Sequence, residues 1–262
     1  MYLFRSWAMG FRVQCISILV EPATFLVTIF IMPVFTSITF LFIFQYTGKL
    51  HSLAMYGVIG PVLLSIWATA IYNSGELIEI ERFNNTLELL IATPTGSAEC
   101  ALLGSISANT LFSLASLGET IIIAQVGFGV ALHIISLLLF VCGIVLLVLS
   151  TCASAMIMAN LFVLARSIRL FQNTLTYPFY LLAGLSFPLT ALPGWLRPFS
   201  VLIALSWNGD LLRSAMGLQA YYSPFFSFSL GLLLTALYFI CGHVLFMWTE
   251  QRVRRTATLG NH

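Results

Sequence analysis

The chain has 262 residues, of which 60% are hydrophobic and 8% charged, and its formal net charge is +2. Soluble domains carry about 25% charged residues, so an ordinary water-soluble globule is excluded, and the small net charge argues against a nucleic-acid partner. The composition is that of an all-α integral membrane protein with one membrane domain over residues 1–262, since each helical span needs about 20 apolar residues.

Residues 1–21 open the chain with "MYLFRSWAMGFRVQCISILVE". Arg5 and Arg12 share a helix face, and Tyr2, Phe4, Trp7 and Phe11 suit the headgroup level, so an interfacial helix is expected. The alternative is a frayed tail. The first apolar run is too long for the h-region of a cleavable signal, about 7–15 residues. Pro22 sits at a tolerated early helix position.

Uncharged runs near residues 22–44, 53–75, 100–127, 134–165, 170–190 and 225–249 predict six spans. Pro33 is placed to kink the first. The fourth is longer than a bilayer requires, which predicts tilt or an extension into water. Its "STCASA" at 150–155 predicts close approach of another helix.

Between the fifth and sixth runs, residues 187–222 are apolar but hold Pro188, Pro193, Pro198, Arg197, Asp210 and Arg213. This pattern is too broken for one clean span. Short re-entrant helices with buried backbone breaks are expected, with a seventh span as the alternative.

With six spans, Arg5, Arg12, Arg82, Arg166, Arg169, Arg252, Arg254 and Arg255 fall on one side, against Lys49, Arg197 and Arg213 on the other. The basic side is expected to be cytoplasmic and to hold both termini of a multi-pass cell-membrane protein. The five cysteines include no CxxC and mostly lie in apolar runs, so buried free thiols are expected rather than disulfides or a metal site.

One cytoplasmic segment, residues 76–97, is patterned unlike the rest. Leu77, Ile80, Phe83, Leu87, Leu90 and Ile91 form an apolar stripe, and Glu76, Glu79, Glu81, Arg82 and Glu88 decorate it. Asn84 and Asn85 predict a bend, Thr86 a helix cap and Pro94 a stop. A helix this short needs a surface to pack on. Lipid headgroups are one candidate, but the acidic excess disfavours anionic lipid and points to a protein partner.

"ERFNNTLELLIATP", residues 81–94, resembles the signature of type-two ATP-binding-cassette exporter permeases, E-R-x-x-G-T-L-E-x-L-x-x-T-P. The matching positions are Glu81, Arg82, Thr86, Leu87, Glu88, Leu90, Thr93 and Pro94. "TGSAECALLGS" is similar to the start of the family's third span at Glu99 and Gly104. Residues 187–213 resemble its external re-entrant region at Phe187, Pro188, Leu192, Pro193, Trp195, Leu196, Pro198, Asp210 and Arg213. Asn85 replaces the usual Gly and keeps its left-handed tolerance, while Ser105 stands where Lys is common.

The resemblance implies an ATPase-coupling role for residues 81–94. It also implies two copies of a separate ABC-type ATPase subunit holding ATP and Mg, and a homodimer or a heterodimer with a paralogous permease. The expected function is export of an amphiphilic cargo: a drug, antibiotic, peptide or lipid-linked molecule. Polysaccharide or glycolipid export is the alternative within the family. No phosphate-binding loop accompanies Lys49, the single lysine, and no catalytic motif is found, so neither a cofactor nor an ATPase site is expected on this chain.

Glu119, in "SLGETIII", has two readings: a cavity-lining or cargo contact, or a residue near the outer interface or bonded to a neighbouring helix. His243 reads best as a satisfied structural histidine. An intramembrane enzyme using Glu119, His133 or His243 and a passive channel are the rival classes.

Overall fold

The computed structural model describes residues 2–20, 26–48, 50–83, 97–130, 134–164, 170, 172–174, 178–179, 182–184, 193–217 and 222–256. Every regular element among them is helical. Helix α1 is Tyr2–Val20, and a π-helical stretch, Val27–Ile31, runs into α2, Met32–Tyr46. Next come α3 (Leu50–Phe83), α4 (Ser97–Ser113) and α5 (Ala115–Ile122), which continues as a π-helical stretch, Ile123–Gly127. The chain closes with α6 (Leu137–Leu164), α7 (Arg197–Val201), α8 (Ala204–Ala215) and α9 (Pro224–Thr256).

Five stretches among the described residues are long and apolar enough to cross a membrane: Ile29–Tyr46, Leu53–Glu76, Ala98–Gly127, Leu137–Val163 and Pro224–Gln251. They correspond to the first four and the sixth of the expected runs. The other expected run, 170–190, falls largely outside the described residues.

Sequence chemistry accounts for the interruptions. Pro33 is buried in the first turn of α2, directly after the π-helical stretch, where the backbone absorbs its missing N–H. Between α4 and α5, Ser113 Oγ donates to the Asn109 carbonyl at 2.7 Å and Ser116 Oγ to the Ser113 carbonyl at 2.7 Å. Such back-bonding from Ser competes with the helical ladder and bends it. At the join, Leu114 N–H reaches the Leu111 carbonyl at 3.2 Å, a three-residue turn.

Helix α3 is the centre of the bundle. Of its apolar window 89% is buried, against 22% for α9 and 28% for the α2 window. Its Ile59, Val62, Leu63, Ile66 and Trp67 pack with Phe140, Leu147 and Phe162 of α6 and Leu205 and Leu212 of α8. Thr151, Cys152, Ala153, Ser154 and Ala155 of α6 are all buried, as the small-residue run predicts. Helix α6 packs on α3, α4, α8 and α9.

The broken region yields α7 and α8, of 5 and 12 residues, each too short to span. All of α8 except Ser214 is buried. The five cysteines are free, but the expectation of burial needs correction: Cys152 is buried, Cys241 is exposed and the others are intermediate. Cys241 lies on the sparsely covered α9, where an apolar environment would come from outside the chain.

Candidate functional site

Helix α1 is fixed to α4 by a close crossing. A side chain at Gly10 would collide with the Ala101 carbonyl, and one at Gly104 with the Trp7 carbonyl. Ser105 Oγ donates to the Gly10 carbonyl at 3.1 Å, and Gln14 Nε2 to Asn109 Oδ1 at 3.1 Å. Ser105, a departure from the family pattern, therefore has a structural role. Phe4, Trp7 and Phe11 stack in sequence at 5.9 and 5.4 Å. Leu3, Phe4, Met9, Val13, Ile16 and Leu19 of α1 are exposed, alongside Arg5 and Arg12.

The segment 76–97 starts within α3, which continues to Phe83, and ends at α4, which begins at Ser97. Glu81 and Arg82 belong to the last turn of α3. Thr86, Leu87, Glu88, Leu90, Thr93 and Pro94 lie outside the described residues, as does the expected bend at Asn84 and Asn85. Helices α3 and α4, which carry the segment, pack directly on each other. Beside it, Tyr72, Glu76, Glu79 and Asn173 line a cavity of about 250 Å³. Tyr72 Oη donates to Asn173 Oδ1 across it at 3.0 Å.

Two residues on, Glu99 occupies the first turn of α4. Both of its carboxylate oxygens lie 2.9 Å from Nδ1 of His243 on α9, so the imidazole N–H donates to the carboxylate. Glu99 is 9% exposed, whereas the His243 side chain is 57% exposed. His243 is thus a satisfied histidine. Its partner, the family-like Glu99, is 144 residues away, so the pairing itself has no local sequence signal.

At the opposite end of α3, Arg213 of α8 is 2% exposed. Its Nη1 contacts Asp210 Oδ1 at 3.3 Å, its Nη2 donates to the Gly184 carbonyl at 3.1 Å, and its guanidinium covers the Tyr56 ring at 4.3 Å from the centroid. Asp210 and Arg213, expected from the sequence, therefore come together; Tyr56 was not foreseen. Pro193, Trp195 and Pro198 are exposed, and Pro188 lies outside the described residues. A second cavity of about 250 Å³ opens between α7 and α8, lined by Arg197, Ser200, Ser206, Trp207, Asp210 and Tyr222.

Glu119 of α5 is half-buried, and both its carboxylate oxygens are shielded with no hydrogen-bond partner among the described residues. It does not join either polar cluster.

The helices and their buried polar ties define a polytopic helical membrane protein whose core is arranged around α3 and α6. The family model for the ABC-2 type transporter matches residues 7–217, and the chain belongs to that family as a membrane permease subunit. A search of curated proteins returned no significant match.

Proposed function

We propose that the chain is the permease of an ATP-driven exporter, with both termini in the cytoplasm of a cell-membrane protein. Residues 81–94 dock a separate ABC-type ATPase subunit, which supplies ATP and Mg. Two permease copies, identical or paralogous, enclose the path with two ATPase subunits below. Residues 1–21 lie at the membrane interface, and residues 187–222 form the external re-entrant region. The cargo is an amphiphile, in keeping with the aromatic, weakly charged spans.

The observation that carries this reading is the location of the family-like residues 81–94, between the ends of two helices that pack on each other. A push on that segment acts on α3, the most buried of the five candidate spans, and on α4 together. The charge bias supports the orientation, and Arg213, being buried and paired, adds no free cation to the external side.

The test is affinity capture of the chain from mild detergent. A soluble subunit with a phosphate-binding loop is expected to come with it. Leu90→Pro and Glu88→Arg are expected to lower its recovery about tenfold while the spans keep their thermal midpoint. Equal recovery from both variants counts against the docking role, and absence of any such subunit from the unaltered chain counts against the exporter reading.

A further inference from the structure

The contact between Glu99 and His243 joins two helices with little else in common. Helices α4 and α9 each pack on α6, and their shared apolar contacts gather at one end, where Ala98 and Leu102 meet Phe239 and Phe246 around Met156. Glu99 adds a paired hydrogen-bond contact at that same end. Asn160 of α6 donates from Nδ2 to the Gly242 carbonyl at 3.3 Å and to the Met156 carbonyl at 2.9 Å. The turn of α9 at Gly242 and His243 is therefore held on one side by α6 and on the other by α4.

Position gives this grip its meaning. Glu99 is the third residue of α4, five positions after the segment 81–94 that the proposed function assigns to the ATPase. A displacement delivered to the start of α4 reaches Glu99 within one helical turn. A charge-assisted bond to a largely buried carboxylate is stronger and more directional than a packing contact. Coupling between distant elements requires a physical connection that both ends can bias.

We propose that Glu99 and His243 form a mechanical tie that passes motion of the coupling segment from α4 to the last span, α9. Both are positioning residues; neither contacts nucleotide or cargo. The tie rests on the ATPase-docking reading and deepens it. It stays closed through the cycle, so α4 and α9 move together at this end.

The experiment uses the captured complex with its ATPase subunit, and spin labels on a cysteine-free background. One label pair joins Leu111 of α4 to Val145 of α6, and the other joins Ile240 of α9 to Val145; all three positions are exposed. ATP with vanadate is expected to shift both distances in the unaltered chain. In Glu99→Leu and His243→Phe, which remove the acceptor and the donor, the α4 shift persists and the α9 shift is largely lost. His243→Gln, which keeps a donor, retains most of the α9 shift.

A disulfide between Glu99→Cys and His243→Cys restores the α9 shift, and reduction removes it again. An undiminished α9 shift in Glu99→Leu and His243→Phe overturns the tie, as does a disulfide that freezes both helices. Recovery of the ATPase subunit with every variant separates loss of the tie from loss of docking. If the unaltered chain recovers no subunit, the docking reading falls and the tie falls with it.

Discussion

The guanidinium of Arg213 lies 4.3 Å above the ring of Tyr56, joining the short helix α8 to the central helix α3. Asp210 and the Gly184 carbonyl also contact it. A cation this deeply buried persists only where partners replace its water. Removing one member of a buried pair leaves the other charge exposed to a low-dielectric interior.

Arg213→Ala is accordingly expected to destabilise the protein by about 3–5 kcal/mol, because Asp210 stays buried. Tyr56→Leu, which removes only the ring, is expected to cost about 1–2 kcal/mol. Tyr56→Phe keeps the ring face and is expected to be nearly neutral. Thermal unfolding in detergent, followed by tryptophan fluorescence, orders the three variants. A Tyr56→Leu loss as large as that of Arg213→Ala would refute the charge-based account.

The crossing of α1 and α4 predicts strong size dependence at Gly104. A methyl group there meets the backbone carbonyl of Trp7, which cannot rotate away as a side chain can. Gly104→Ala is expected to cost about 1–3 kcal/mol, the usual range for overpacking, and Gly104→Val more. Limited proteolysis near the amino terminus is expected to quicken in the same order. Gly118, which has open space around it, is the control: Gly118→Ala is expected to show neither effect.

Glu119 has two shielded oxygens and no hydrogen-bond partner among the described residues. A charged side chain at a helix centre costs roughly 2.5–3.5 kcal/mol on insertion scales. Glu119→Leu is therefore expected to raise the thermal midpoint, and Glu119→Gln to leave it level or raise it slightly. A fall in midpoint for both variants would reveal a stabilising partner. Higher stability accompanied by lost export would mark the residue as part of the cargo path.

Much of this architecture is legible in sequence because its causes are local. Apolar run length sets the five candidate spans, and three prolines with two basic residues split the 187–213 region into short pieces. The small residues at 150–155 announce a close contact without naming the helix that makes it. The polar ties are different. Glu99 finds His243 across 144 residues, and Arg213 finds Tyr56 across more than half the chain. Each partner looks ordinary in its own helix, and only the three-dimensional packing around α6 and α3 brings them together. Gly10 and Gly104 are similar: each is unremarkable alone, and their meaning comes from facing backbones.

The exposed thiol of Cys241 has a practical consequence. It sits on the least covered of the five candidate spans, on a surface that any second chain lying against α9 would mask. A lipid-soluble maleimide would then alkylate it quickly in a solitary chain and slowly beneath a neighbour, so reaction speed at one native sulfur atom becomes a gauge of who stands next to the last helix.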